Sequence, residues 1–348
     1  MGFFSIFSQS DNSILGVDIG STGIKAVALT IKDKQAALKN YGTAELSVDW
    51  LRSDKPEAMA EAVMYLKALV KRLGLSTRSV YAGIPTFTVY SSVVSLPVLP
   101  PKEMSLAVEA ESRKFIPMPV ADVSLDYKLL PQEDAGMSSQ RVLVTAAPKK
   151  IVSRYSELFR GAGLSMASLE TEAFALGRAL LGKDPTPAMV IDLGSTTTDI
   201  IVFDRGVPVV TRSLDVGGTT ISIQLARTTG VSLEEAEQLK RDVGIPLSSA
   251  NQQSPLENLL QPIMQEIKYS HDLYEKQKLD GSIEKIILTG GTAQLPHLAE
   301  RIESMINVRT YVGDPWARII TPQVLKPALD ELGSRLAVAI GLALRGIE

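Results

Sequence analysis

Gly16-Val17-Asp18-Ile19-Gly20-Ser21-Thr22-Gly23, running on through Ile24 to Lys25, is echoed in the second half of the chain by Ile191-Asp192-Leu193-Gly194-Ser195-Thr196-Thr197-Thr198-Asp199. In both, an apolar strand ends on an aspartate, and Gly, Ser and Thr follow at the same offsets. A Walker loop would need Gly-Lys-Ser/Thr opening a helix, and a dinucleotide fingerprint also needs a helix after its glycines. Residues 24–31 are instead apolar and β-branched, so the chain is expected to turn back as a hairpin. The N–H groups of Gly20, Ser21, Thr22 and Gly23 can then form an anion-binding nest. Lys25 would reach a phosphate as a point charge, and Asp18 would face a cation through water. One copy alone is equally a glycine hairpin with an Asp-capped turn.

The second copy keeps Gly194, Ser195, Thr196 and Thr197 after Asp192 and puts Asp199 where the first has Lys25. Two acidic turns and one lysine suit a clamp for Mg2+ and a nucleotide, with Asp18 and Asp192 on the hydrated ion. A third segment, Leu288-Thr289-Gly290-Gly291-Thr292-Ala293, runs a strand into glycines, and a helix is expected from near residue 293. The small residues Gly290, Gly291 and Thr292 admit a flat base or ribose.

The repeat extends beyond the turns. Residues 12–30 and 38–46 predict three strands; residues 188–192, 199–204 and 207–213 predict three more in the same order, which favours duplication. Helices are expected at 56–73, 103–115, 149–160, 168–181, 219–229, 233–242 and 255–278, with a strand at 285–289. Residues 88–163 differ in texture and read as strand, helix, two strands and helix, an α+β insertion in the first half. Residues 247–255 read as a polar loop.

Length and composition bound the function. The 348 residues carry 45% hydrophobic and 22% charged side chains, as in an ordinary globular chain. A net charge of −3 leaves no basic footprint for nucleic acid. There is no cysteine, in keeping with a reducing compartment, and two histidines are too few for a His-rich metal site. No apolar run reaches the ~20 residues needed to span a bilayer; residues 336–344 predict a buried helix. The start Met1-Gly2-Phe3-Phe4-Ser5-Ile6-Phe7 lacks the features of a signal peptide. It is expected to pack on the first sheet, or else to insert shallowly into a membrane.

Two phosphate-type turns followed by a Gly-Gly turn resemble the actin/Hsp70/sugar-kinase superfamily over nearly the whole chain. Further stretches resemble the PilM family of type IV pilus assembly proteins, relatives of the division protein FtsA. They are Leu15-Gly16-Val17-Asp18-Ile19-Gly20-Ser21, Glu109-Ala110-Glu111-Ser112-Arg113-Lys114-Phe115-Ile116-Pro117, Leu125-Asp126-Tyr127, Asp215-Val216-Gly217-Gly218, Ala236-Glu237-Gln238-Leu239-Lys240, Leu288-Thr289-Gly290-Gly291 and Gly341-Leu342-Ala343-Leu344-Arg345. The resemblance implies an α/β, duplicated actin-like (ribonuclease H-like) fold. One lobe would comprise 1–87, 164–187 and a final helix 335–348; an FtsA/PilM-type subdomain would span 88–163, and a second lobe 188–334. It implies ATP and Mg2+ as ligands. Glu237 and Lys240, otherwise an ion pair on a helix opened by a capping box at Ser232, would touch ribose and adenine. Gly217 and Gly218 would let the next helix approach the nucleotide, and Glu170 would take the place of the water-positioning acid, with Glu172 close by. Because a first-turn Glu is equally explained by the helix dipole, weak or no turnover is expected.

The partner implied is the N-terminal peptide of a PilN-like inner-membrane protein, held between the first lobe and the insertion. The chain would then be cytoplasmic and peripheral at the inner membrane. Self-association or other platform proteins are further partners; nucleic acid is not. An FtsA-like filament protein would be expected to carry an amphipathic tail after residue 345, and on that ground the pilus-type scaffold is preferred. A small-molecule kinase remains the enzymatic alternative.

Overall fold

The computed structural model describes residues 13–130, 138–245, 255–276 and 281–348. The phenylalanine-rich start and all but the last residue of the expected loop at 247–255 lie outside them.

The first apolar run forms strand β1 (Ile14–Ile19), which returns through Gly20–Thr22 into β2 (Gly23–Lys32) and then β3 (Gln35–Glu45). Helix α1 (Pro56–Arg72) crosses to β4 (Ser79–Ile84), parallel to β1. The insertion follows as β5 (Tyr90–Pro97), α2 (Pro101–Ser112), β6 (Val123–Leu129), β7 (Ser139–Pro148) and α3 (Lys149–Gly161). Next come β8 (Ser165–Thr171) and α4 (Glu172–Leu176), whose last turn, Gly177–Leu181, widens to a π-helix.

The second half restarts with β9 (Ala188–Leu193), β10 (Thr198–Asp204) and β11 (Val207–Leu214). Helices α5 (Gly218–Thr229), α6 (Leu233–Val243) and α7 (Pro255–Lys276) lead to β12 (Lys285–Thr289), α8 (Leu298–Ile306), β13 (Thr310–Val312) and α9 (Lys326–Arg345).

The duplication is explicit in the sheets, ordered β3-β2-β1-β4-β8 and β11-β10-β9-β12-β13. Each is an antiparallel meander extended by two parallel strands. A third sheet, β5-β7-β6, belongs to the insertion. Helices α4 and α9 lie between the two large sheets. There Ala175, Leu176, Val338 and Leu342 pack with Val190, Ile201, Phe203 and Ile287. On its outer face the first sheet is covered by α1 and α3, which bury Leu66, Tyr155, Leu158 and Phe159. Helix α3 therefore shares its core with the first sheet.

Two expectations are corrected. Residues 168–181 are not one helix: 165–171 form a strand. Their Ala, Leu, Met and Glu content favours a helix, but the free edge of β4 takes them as a parallel partner, from Ser79 opposite Ser165 to Ile84 opposite Thr171. Pairing at a sheet edge overrides local propensity here. Nor does the helix after Gly290-Gly291 begin near 293; turns occupy that stretch and α8 starts at Leu298.

Helix α9 is fixed by contacts that only glycine permits. A Cβ on Gly341 would lie 1.9 Å from the Ala175 carbonyl oxygen, and one on Gly16 would lie 2.2 Å from that of Ala339. Backbone atoms cannot swing aside, so Gly341→Val is expected to destabilise the chain by about 3 kcal/mol or prevent folding. Gly291→Ala, which meets only the Arg335 side chain at 3.9 Å, should shift the urea midpoint little. Equal midpoints for the two variants would contradict the packing.

Candidate functional site

Each phosphate-type turn closes in the same way. The Gly20 N–H donates to the Gly23 carbonyl at 3.0 Å, and the Gly194 N–H to the Thr197 carbonyl at 2.9 Å. The two turns meet face to face. Ser21 Oγ lies 2.7 Å from Thr196 Oγ1 and 3.3 Å from Ser195 Oγ, and the Thr22 hydroxyl donates to Ser195 Oγ at 2.9 Å. Four hydroxyls from opposite halves of the chain thus share one point at the floor of the cleft. The N-terminus of α5 closes one side: the Gly218 N–H donates to the Gly194 carbonyl and the Thr219 N–H to that of Ser195. Gly217 is needed for this approach, because its Cβ would sit 2.6 Å from the Ser195 carbonyl.

Behind the turns, Asp18 pairs with Lys25 across the β1–β2 hairpin at 2.9 Å. Asp192 and Asp199 occupy the equivalent places across β9–β10. Glu172, at the start of α4, lies within the field of all four groups. Three carboxyls, those of Asp18, Asp192 and Glu172, therefore surround one ammonium, and Asp199 adjoins them through Glu172. Burial by itself would lower the pKa of Lys25, but Asp18, Asp192 and Glu172 outweigh it and hold the ammonium charged. Burial, then the charges of Asp18, Asp199 and Asp192, push Glu172 well above the usual carboxylate range. Desolvation with the neighbouring Asp18 raises Asp192 to about 6, and desolvation with Asp192 and Asp215 raises Asp199 to about 7. Asp199 Oδ1 is buried without a hydrogen-bond partner.

A cavity of about 300 Å³ opens from the turns, lined by Thr22, Lys25, Asp192, Gly194, Ser195, Gly218, Glu237, Lys240, Gly290, Gly291 and Thr292. The buried Lys240 ammonium donates to Glu237 Oε2 at 2.7 Å, Ser222 Oγ at 2.8 Å and the Gly218 carbonyl at 3.0 Å. Gly290, at φ +87°, lies against the Asp192 carboxylate. Both Thr289 Oγ1 and the Gly290 N–H donate to the Ser334 carbonyl of α9.

The structure thus brings together the residues singled out in both turns, the Gly-Gly segment and α6. Glu170 lies elsewhere. Both its oxygens are taken by Arg178, at 2.7 and 3.1 Å, and a further bond comes from Arg345. These three groups line a second cavity of about 500 Å³, between the insertion's sheet and the first sheet. Its apolar walls include Ile84, Leu125, Leu143, Leu169 and Phe174. β8 ends at Thr171 and α4 begins at Glu172, so the change from strand to helix between them sends the two side chains apart. Arg241 of α6 and Ser334 and Arg335 of α9 also line the first cavity; no sequence signal marked the latter two, since α9 reads only as a buried helix.

Duplicated meander sheets, two helices between them and opposed hydroxyl turns at the cleft define a protein of the actin-like fold. The family described as type IV pilus assembly protein PilM matches residues 16–347, and the chain belongs to that family. It is similar to a solved PilM–PilN type IV pilus biogenesis complex, with TM-score 0.82 and 26% identity, over 96% of this chain and 98% of that one. MreB5 of Spiroplasma citri bound to ADP shares the fold at TM-score 0.55 and 13% identity, over 96% of both chains. Among sequence relatives, the cell division protein FtsA of Enterococcus hirae is 23% identical over 86% of this chain and 78% of its own length. FtsA of Neisseria meningitidis is 28% identical over 38% of this chain and 34% of its own length.

The raised acids set a pH dependence. A carboxyl whose folded pKa exceeds its unfolded value holds its proton longer in the folded chain, so stability is lost as pH rises through the folded pKa. For Asp192 and Asp199 that window runs from about 4, the unfolded value, to about 6 and 7. In EDTA, the stability gain of Asp199→Asn over the parent should be larger at pH 8 than at pH 5 by about 2–3 kcal/mol. Urea unfolding at both pH values checks this; a gain of the same size at pH 5 would sink it.

Proposed function

We propose that this pilus assembly protein binds Mg2+ and ATP in the cleft and uses the nucleotide as a conformational ligand. It docks the N-terminal peptide of a PilN-like inner-membrane protein in the second cavity. The observation that carries the nucleotide half is the meeting of the two hydroxyl turns beside Lys25, with three carboxyls around that one ammonium. Oriented N–H groups and hydroxyls beside a lysine suit phosphate oxygens.

The acidic surplus suits a divalent cation. Among the described residues no group of three or more ligating side chains forms a direct metal cage. A hydrated Mg2+, held through water by Asp18 and Asp192, fits this donor set because that ion keeps most of its water. Bound there, it would supply charge neutralisation at the phosphates. Glu237 and Lys240, already joined to each other, would face ribose and base.

The role of water-positioning acid passes from Glu170 to Glu172, since Glu170 is clasped by two arginines away from the turns. Weak or no hydrolysis is the corresponding expectation, because the acid in that place is bound by arginines rather than aimed at the turns.

The second cavity has the apolar walls and charged mouth that suit an extended peptide, and the companion in the similar solved complex is PilN. No helix among the described residues is long and apolar enough to cross a membrane; attachment to the membrane would come through this partner.

Calorimetric titration with Mg·ATP should give saturable binding, weakened ~10–100-fold by Lys25→Met, the value of a charge-assisted hydrogen bond. Thr145→Arg, which fills the second cavity, should abolish binding of the partner peptide and spare ATP. Absence of ATP binding by the parent overturns the nucleotide site, and undiminished peptide affinity in the arginine variant overturns the groove.

A further inference from the structure

We infer that Arg335 contacts the base of the bound nucleotide, and that α9 carries this contact to the peptide groove through Arg345. The inference rests on the two sites proposed above.

Arg335 lines both the cavity at the turns and an adjoining one of about 290 Å³. The two share Glu237, Lys240, Arg241, Gly291 and Thr292, so they form one continuous cleft. Arg335 is exposed there, with no hydrogen bond or ion pair to any described residue. Arg241, the other guanidinium of this mouth, is held by Glu237 at 3.1 Å. Gly291 gives a flat floor beside Arg335, whose Cγ is the nearest atom that a Cβ there would meet. A free planar cation over a flat floor is suited to stacking on an aromatic base.

The neighbouring residue makes the contact consequential. The Ser334 carbonyl holds Thr289 and Gly290 of the second half. Ten residues beyond Arg335, about 15 Å along the same helix, Arg345 bonds Glu170 at the groove. Between these ends the Gly341 carbonyl accepts from Arg178, which also holds Glu170. Gly16 and Gly341 grip the helix backbone to backbone, so it moves as a body or not at all. One rigid element thus has a nucleotide-facing end and a peptide-facing end.

Affinities for ATP and for inorganic tripolyphosphate, each with Mg2+, separate a base contact from a phosphate contact. Arg335→Ala should weaken ATP about tenfold and tripolyphosphate less than twofold. Arg335→Lys should not restore ATP affinity, because an ammonium does not stack as a guanidinium does. Equal losses for both ligands, or full rescue by lysine, would overturn the base contact. For the coupling, saturating ATP should change the affinity of the partner peptide for the parent chain, and peptide should change ATP affinity by the same factor. In Arg335→Ala that factor should fall to one while the thermal midpoint stays unchanged. A parent without coupling, or a variant that retains it, overturns the role of α9. A parent that binds no ATP overturns the proposed nucleotide site itself, a distinguishable result.

Discussion

Backbone touches backbone where α9 passes β1 and α4, and the rest of the architecture is arranged around that contact. Gly16 and Gly341 carry no side chain, so the helix sinks between the sheets until carbonyl oxygens set the limit. Ala337, Val338 and Leu342 then reach the second sheet while Leu336, Ala339 and Ala343 fill the first. A bulkier residue at either glycine would push the sheets apart and part the hydroxyl turns at the cleft floor, where the margin is a single hydrogen-bond length.

The cleft itself is an unfavourable place for its own side chains. Four acids share a weakly hydrated space with one lysine, and three of them respond by holding protons more tightly than free carboxyls do. Groups kept in this condition are the mark of a site shaped for something charged rather than for stability. The insertion's groove is different in kind: its polar groups are mutually satisfied in the Arg178–Glu170–Arg345 cluster, and its walls are apolar.

Much of this was legible in the chain because duplication writes the same constraint twice. Asp18-x-Gly20-Ser21-Thr22 and Asp192-x-Gly194-Ser195-Thr196 each require a hairpin, and two hairpins with matching meanders define the paired sheets. The Ser232 capping box also appears as read. What escaped sequence reading depends on neighbours far along the chain. β8 has helical composition and becomes a strand only because β4 offers a free edge. Glu170 and Glu172 are two residues apart, yet one lines the groove and the other sits among the acids behind the turns, a distinction invisible until the strand ends between them. Arg335 is one of several charged residues on α9, and only the packing of that helix across both halves brings it to the cleft.

Register gives the duplication a last consequence. Lys25 stands opposite Asp18 in one hairpin, and Asp199 opposite Asp192 in the other. Two like turns facing one another would make a cleft with no direction, in which a ligand could lie either way round. The single exchange of lysine for aspartate breaks that pseudo-twofold equivalence. It gives the cleft one wall with an ion pair and one with two acids, and so a polarity that an unsymmetrical ligand must obey.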